Sequence, residues 1–489
     1  MWSRGPRLLF RRANRQERAS RAALALIMLN VPPRTRTHIP RAIPMPTPDT
    51  LCARTLPGAI LSGLGDALAR QPGARTLQSW RDLLSGRLSF ADYFEQMASR
   101  DELTCLTVDT TGACDLTCAG MCYYHPEIPL RRREVPFESL ASAIEEAGRL
   151  LHLKTLVIAG KEPFLNPRRL FAILEDAGSR RSRNYLVGVI TNGRHIHRHW
   201  DHLEQAARSG WIDFLDVSID SGFPEQHDAI RGASGTYDLA SAAVRAAATS
   251  LHAVRTSICS ILRPDNPAGI LELLRKQSDV IQCFWIFPVQ PPPFSAMPPL
   301  AGRFVSSFLR SLLTILAEKL RDREMQVMVP LQGLYLSEAV EEGLFDWCDL
   351  REDEVGACYA AIPAGKSTLF VQCSVLPEQA WKLARITYTG DYLAQLHFLQ
   401  SPDPSQHAIG NIADEPIQKL YKRSKAQGGV LHRLCMARQA HECRQWTCWA
   451  HCFGGWSVAE QSLLDGTSVH KKPRLCTKSG ADLVQVGGI

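Results

Sequence analysis

Three cysteines crowd one short stretch of this sequence, residues 107–126, which read TVDTTGACDLTCAGMCYYHP. Cys114, Cys118 and Cys122 cannot all pair as disulfides, but they can converge on one metal centre. The preceding residues, 103–109, are mostly β-branched or apolar and predict a strand. A glycine-containing loop at the carboxyl end of a strand is where α/β sheets carry their chemistry.

Two kinds of metal site suit this loop. A structural zinc ion takes four ligands, which commonly come from cysteine pairs with two-residue spacers. An iron–sulfur cluster can instead be held by three cysteines, with one iron left open. The loop alone leaves both interpretations open.

Four further motifs follow the loop in order: KTLVIAGKEPFLNP at 154–167, LVGVITNG at 186–193, FLDVSIDS at 214–221 and HDAIRG at 227–232. As an ordered set over 103–291, the loop and these motifs resemble the radical S-adenosylmethionine (radical SAM) superfamily. The resemblance favours the iron–sulfur interpretation. It implies a 4Fe-4S cluster on Cys114, Cys118 and Cys122, with S-adenosyl-L-methionine bound at the open iron.

The resemblance also implies that the motif after the second strand receives the methionine amino group. Its residues are Gly160, Lys161, Glu162 and Pro163. Two departures stand out. The usual loop is C-x3-C-x2-C with an aromatic residue before the last cysteine, whereas this chain has C-x3-C-x3-C and Met121, so one residue must bulge. Lys161 replaces the usual glycine, and any left-handed backbone there would be strained.

Further cofactor contacts are implied at the later strand ends. Ser218 and Asp220 are expected to hydrogen-bond the ribose. Arg231 can form a bidentate pair with the methionine carboxylate, and its alternative is a surface ion pair. Asn192 either contacts the cofactor or caps a helix.

Strand and helix alternate from 103 to 293, which predicts a parallel sheet with right-handed crossovers. The strand cores are expected near 104–110, 155–159, 186–190, 214–219, 254–261 and 282–287. The predicted fold class is therefore α/β: a partial (β/α)6 TIM-like barrel with a small cysteine-rich C-terminal domain.

The sequence divides into five segments. They are a disordered Arg/Pro-rich tail (1–48), a short helical segment (49–102), the radical SAM core (103–293), a helical linker (294–346) and a SPASM-like auxiliary cluster domain (347–489). The tail is alternatively a targeting segment or the product of a wrong start codon. We expect the helical segment to pack against the first strand of the barrel, and a cap on the barrel or a small docking element is the alternative.

Eight of the fifteen cysteines lie between Cys348 and Cys476. This region resembles the SPASM extension of radical SAM enzymes, which implies one or two auxiliary 4Fe-4S clusters. The implied ligand sets are Cys348, Cys358, Cys373 and Cys452 for one, and Cys435, Cys443, Cys448 and Cys476 for the other. The spacings depart from the family pattern, and a zinc ribbon is the alternative for the second set. Cys52, Cys105, Cys259 and Cys283 are interpreted as small hydrophobic residues.

Charge and composition exclude several functions. The net charge is +7, but the first fifty residues contain ten Arg and two acids, so the rest of the chain is nearly neutral. No nucleic-acid face is expected in it. No run of 18 uncharged apolar residues occurs, so no transmembrane helix is expected. A long chain with clustered cysteines indicates a reduced, cytoplasmic metal protein.

The expected function is that of a radical SAM oxidoreductase or maturase. Reductive cleavage of S-adenosylmethionine gives a 5′-deoxyadenosyl radical, which abstracts hydrogen from the substrate. SPASM-type members often modify peptides, so a peptide substrate and an electron donor such as flavodoxin or ferredoxin are expected. Sulfatase-maturing members carry Asp directly after a cluster cysteine. This chain has Ser374 at the matching position, which argues against that activity. The alternatives are radical chemistry on a small molecule such as a sugar, or a zinc-stabilised binding protein.

Overall fold

The computed structural model describes residues 57–100, 102–118, 120–125, 133–180, 183–292, 294–374, 382–394 and 396–437. The predicted tail, 1–48, and four predicted cluster ligands lie outside these residues. The four are Cys443, Cys448, Cys452 and Cys476. No helix in the described ranges combines the length and the apolarity that a membrane crossing requires.

The core of the molecule is a sheet of six parallel strands at the predicted positions. They are β1 (Cys105–Asp109), β2 (Thr155–Ala159), β3 (Leu186–Thr191), β4 (Phe214–Ser218), β5 (Arg255–Leu262) and β6 (Cys283–Pro288). These strands pair side by side in chain order. Residues such as Leu106, Val108 and Ile158 are fully buried in the main core. The predicted α/β fold class is confirmed.

Thirteen α-helices accompany the sheet in the described residues. They are α1 (Pro57–Arg70), α2 (Arg75–Leu84), α3 (Phe90–Ala98), α4 (Phe137–Leu150), α5 (Pro167–Ser179), α6 (Trp200–Ser209), α7 (Pro224–Arg231), α8 (Thr236–Ser250), α9 (Pro267–Gln277), α10 (Gly302–Thr314), α11 (Gly333–Glu341), α12 (Ile417–Ser424) and α13 (Val430–Ala437). Helices α4 to α9 connect successive parallel strands, as right-handed βαβ topology requires.

The sheet extends past the six predicted strands at both edges. The added strands are β7 (Gln326–Gln332), β8 (Leu350–Glu352), β9 (Cys358–Ala364), β10 (Ser367–Ser374), β11 (Leu383–Ile386), β12 (Asp391–Leu393) and β13 (Gly410–Asn411). The order is β13-β12-β11-β1-β2-β3-β4-β5-β6-β7-β10-β9-β8. The segment expected to be a linker thus contains β7. The described strands of the segment expected to be a separate domain join the same sheet as the core.

Chain connectivity requires this sheet to curve. Strands β10 and β11 are eight intervals apart in the sheet order, or about 38 Å if the sheet were flat. Only eight residue steps join Ser374 to Lys382, and they reach at most about 29 Å. The Lys382 ammonium donates to the Val355 carbonyl, between β8 and β9, at 2.8 Å. The two sides of the sheet therefore approach each other, as in a barrel.

The N-terminal helices lie against the C-terminal half of the chain. The Glu352 carboxylate of β8 accepts from the backbone N–H groups of Thr76 and Leu77, at 2.8 and 3.0 Å, at the start of α2. The Cys435 thiol in α13 donates to the Phe90 carbonyl in α3. The expected packing against β1 is therefore not the main contact of this layer, whose partners are the Trp347–Asp349 turn, β8 and α13.

Candidate cofactor site

The cysteine loop follows β1 and lies where the ends of the neighbouring strands meet. Cys114, Cys118 and Cys122 are half-buried. The Thr117 N–H donates to the Arg231 carbonyl at 3.2 Å. A Cβ on Gly232, whose φ is +73°, would lie 2.2 Å from Thr117 Oγ1. Only glycine permits this close packing of the end of α7 on the loop.

The extra residue in the loop is accommodated next to a left-handed glycine. Gly120 lies between Cys118 and Cys122 with φ +65°, a conformation that costs glycine little. The Ser295 hydroxyl donates to the Gly120 carbonyl at 2.9 Å. The bulge expected from the C-x3-C-x3-C spacing is thus compatible with the backbone at Gly120.

Asp115 fixes the first part of the loop to the segment after β3. Its carboxylate accepts from Asn192 Nδ2 at 3.3 Å and from the Arg194 guanidinium, and it contacts His195 Nε2 at 2.9 Å. Although burial opposes the shift, the hydrogen bond from His195 and the charges of His195 and Arg194 lower the pKa of Asp115. Asn192 therefore contacts the cysteine loop directly.

Glu162 joins the ends of β2 and β3. Its carboxylate is fully buried and accepts from Thr191 Oγ1 at 2.7 Å, Asn192 N at 2.8 Å and Phe164 N at 3.1 Å. Burial raises the pKa of Glu162 to about 7, although the hydrogen bonds from these three donors oppose the shift. With both oxygens engaged, Glu162 shapes the motif. Pro163 begins the short 3-10 turn Pro163–Leu165 that follows.

The backbone at Gly160 passes very close to the start of the cysteine loop. Gly160 has φ +121°, and an added Cβ would lie 2.8 Å from the Thr111 carbonyl oxygen. Lys161 does not share this conformation, because His152 is the one non-glycine residue with positive φ among the described residues. The strain considered for Lys161 is absent. Its ammonium instead lies 5.8 Å from the centre of the Tyr124 ring.

Arg231 is buried beside the loop. Its Nε donates to Asp220 Oδ2 at 2.6 Å, and its Nη1 lies 3.9 Å from Cys118 Sγ. Asp220 is fully buried, and its other oxygen accepts from the Ile261 N–H at 2.8 Å. The alternative of a surface ion pair for Arg231 is wrong. Both Asp220 oxygens thus bind the protein itself, one to Arg231 and one to the Ile261 N–H. The expected hydrogen bond from Asp220 to the ribose stays a prediction.

Ser218 ends β4, opposite Cys259 of β5 in the sheet register. It is half-buried. The strand end therefore places its hydroxyl at the same carboxyl edge of the sheet as the cysteine loop, consistent with a ligand contact there.

The three loop thiols are ligands of the type that iron–sulfur clusters use. Burial raises the pKa of Cys114 to about 12 and also raises that of Cys118. The charge of Cys118 raises the pKa of Cys114 further, and the charge of Cys122 raises that of Cys118. The thiols are therefore near one another, and ligation must displace their protons. Across the described ranges, no three His, Cys, Asp or Glu side chains are arranged to hold a single ion. A cubane, however, distributes its thiolates over separate irons.

Part of the predicted auxiliary ligand set comes together. Cys358 in β9 and Cys373 in β10 are opposite each other in the antiparallel register, and both are buried. Cys348 is half-buried in the Trp347–Asp349 turn. Cys435 lies against Phe90 instead. Each set also includes cysteines that lie outside the described residues, so both auxiliary clusters stay predictions.

Comparison with known proteins identifies the domain that carries the site. Residues 108–276, about a third of the chain, match the family model of the radical SAM superfamily. The chain carries a radical SAM domain. It is thus an enzyme of the radical SAM type, for which a 4Fe-4S cluster and S-adenosylmethionine are the family's cofactors. No curated protein matches the sequence.

Solved structures share the fold of this radical SAM protein at low sequence identity. Streptococcus suis SuiB bound to the precursor peptide SuiA is 12% identical, with 81% of each chain covered and a TM-score of 0.57. SuiB bound to S-adenosylmethionine is 13% identical, with 82% of each chain covered and the same TM-score. The anSMEcpe structure with AdoMet and the Cp18Cys peptide is 15% identical, with 76% of this chain and 94% of that chain covered and a TM-score of 0.50.

Three residues of the site carried no sequence signal. Asp115 is distinguished only by its place directly after Cys114. Tyr124 and Arg385 are 261 positions apart, yet the Arg385 guanidinium donates to the Tyr124 hydroxyl at 2.6 Å. Their contact depends on β11 pairing with β1, which no local pattern announces.

Proposed function

We propose that the protein modifies a peptide by radical SAM chemistry. The observation that carries the proposal is the meeting of the cysteine loop, the Gly160 motif, Asn192 and Arg231 at one edge of the sheet. Each of these elements is joined to the cysteine loop by a hydrogen bond or a close contact, and Arg231 reaches Cys118 itself.

Cys114, Cys118 and Cys122 would ligate the cluster. When bound, the cluster and S-adenosylmethionine supply an electron-driven cleavage that yields a hydrogen-abstracting radical. Gly160 would offer its backbone to the methionine amino group, and Ser218 would face the ribose. Arg231 has Nη donors beyond the Nε–Asp220 bond, and they can pair with the methionine carboxylate. Its burial excludes competing water from that pair.

A peptide substrate is supported by the shared fold. SuiB, which is similar over 81% of both chains, binds the precursor peptide SuiA. In this chain β7 to β10 carry the sheet past β6, so a substrate on its inner face would meet a surface longer than six strands. An electron donor such as flavodoxin or ferredoxin and one or two auxiliary clusters complete the proposal. The facing pair Cys358 and Cys373 supports the first auxiliary set.

The test begins with anaerobic reconstitution of the parent protein and of a variant with Cys114, Cys118 and Cys122 replaced by Ala. We expect the variant to lose about four irons, one cubane, together with all formation of 5′-deoxyadenosine. Peptides encoded next to the gene are then supplied to the parent, and mass spectrometry follows their modification. A protein that takes up only zinc would refute the chemistry. Turnover of a sugar with no response to any peptide would refute the substrate class.

A further inference from the structure

Tyr124, two residues after Cys122, contacts two cations. The Lys161 ammonium lies 5.8 Å from the centre of its ring, and the Arg385 guanidinium carbon lies 5.5 Å from it. Cations at this distance from an aromatic ring are attracted to its face, and the attraction is stronger when they are shielded from water. The Arg385 guanidinium also donates to the Tyr124 hydroxyl at 2.6 Å.

Arg385 is itself fixed in place. Its Nε and Nη2 both donate to Asp109 Oδ1, at 2.9 and 2.6 Å, and Asp109 ends β1. The Arg385 side chain is 11% exposed and that of Asp109 is 1% exposed. Burial and the two hydrogen bonds restrict the Arg385 side chain to one conformation, so Tyr124, which Arg385 contacts, is held at a defined position.

The three cysteines of the loop are anchored by three different parts of the chain. Next to Cys114, Asp115 is bound by the segment after β3. Next to Cys118, Thr117 is bound by the end of α7. Near Cys122, Tyr124 is bound by Lys161 and Arg385. Of these three anchors, the third draws on the C-terminal half of the chain, because Arg385 belongs to β11, which pairs with β1. The Ser295 hydroxyl and the Leu399 carbonyl also bind this side of the loop, at Gly120 and His125.

We propose that Lys161 and Arg385 are positioning residues that clamp Tyr124 and thereby fix the direction of the Cys122 thiol. This inference rests on the proposed function only in that Cys122 is taken as a cluster ligand. It also assigns a role to Lys161, the residue that departs from the usual glycine. Through Arg385, the order of the cysteine loop depends on β11 remaining paired to β1.

The experiment measures how fast each thiol becomes accessible. Full-length reconstituted protein is exposed to an iron chelator and iodoacetamide, and mass spectrometry gives a separate alkylation rate for each cysteine. The variants are Lys161→Met and Tyr124→Leu, which leave no buried charge uncompensated, and Tyr124→Phe, which keeps the ring. Arg183→Met is the control, because Arg183 forms a similarly half-buried, two-bond ion pair with Asp213 at the amino ends of β3 and β4.

We expect Lys161→Met and Tyr124→Leu to raise the alkylation rate of Cys122 at least threefold relative to Cys358 and Cys373. Tyr124→Phe should give a smaller increase, and Arg183→Met none. Unchanged rates in Tyr124→Leu would overturn the proposal. So would an equal rise at every cysteine, since that would show general destabilisation. If all three loop cysteines of the parent react at once, the cluster assignment fails instead, and the same comparison in iron-free protein decides the clamp.

Discussion

Replacing Arg231 tests both its packing and its proposed ligand contact. Arg231→Ala removes the partner of Asp220, whose carboxylate is fully buried. Breaking a buried ion pair by removing one partner costs about 3–5 kcal/mol, because the remaining charge is left uncompensated. The Asp220 contact with the Ile261 N–H survives, so the lower part of that range is expected. The midpoint of urea unfolding should therefore fall clearly in the iron-free protein.

Two companion variants separate stability from affinity. Asp220→Asn combined with Arg231→Met removes both charges and should recover most of the lost unfolding free energy. Arg231→Lys keeps a cation beside Asp220 but loses the planar fork that matches a carboxylate. We expect calorimetry to show its dissociation constant for S-adenosylmethionine about ten- to a hundredfold higher, as losing a charge-assisted hydrogen bond of roughly 1.5–3 kcal/mol requires.

Two outcomes would refute this reasoning. Arg231→Ala with an unchanged unfolding midpoint would mean that the ion pair with Asp220 is not buried in the protein. Arg231→Lys with unchanged cofactor affinity, in a folded variant, would mean that Arg231 serves the loop and does not bind the methionine carboxylate.

Three further predictions concern the stability of the fold. Burial raises the pKa of Asp353 to about 7, so the folded chain holds this proton more tightly than the unfolded chain does, and the unfolding free energy should fall as pH rises from about 4 to about 7. Asp353→Asn should remove up to about 4 kcal/mol of this pH dependence in urea titrations. Equal pH profiles for the parent and the variant would contradict the prediction. Gly160→Ala should destabilise the iron-free protein by about 1–3 kcal/mol, because of its positive φ and the contact with Thr111, whereas the control Gly58→Ala, where nothing lies within 4 Å of an added Cβ, should not. Glu352→Ala should cost about 1.5–3 kcal/mol by exposing the first N–H groups of α2, and thermal unfolding indistinguishable from the parent would show that this end of α2 is held otherwise.

The six core strands were predictable because their signals are local. Runs of β-branched and apolar residues between helical periods predicted strands within about two residues of their observed ends. The cysteine loop, the Gly160 motif and Arg231 were found by their order along the chain. Parallel strands place such loops at one edge, so order alone was enough to expect them together.

The added strands could not be predicted by the same means. β7 contains Pro330, which argues against a central strand. Pro330 is tolerated because β6 pairs with β7 only at residues 326–328, so β6 needs no hydrogen bond from the proline nitrogen. β11 has four residues, and nothing in them specifies pairing with β1 rather than with a nearer strand. The role of Arg385 follows from that pairing, so a local reading of the sequence could not reveal it.

The pairing of β11 with β1 has a consequence for synthesis of the protein. Cys105 is opposite Leu383 in the register, so one edge of β1 has no partner from this pairing until the ribosome has made nearly 280 further residues. Domains form in the order of translation, and unpaired strand edges favour aggregation. The cysteine loop is also made long before Arg385 exists to hold Tyr124. Iron–sulfur assembly on the finished chain therefore meets an ordered loop, whereas assembly on the nascent chain would meet one without the contacts that Arg385 and Leu399 make at Tyr124 and His125.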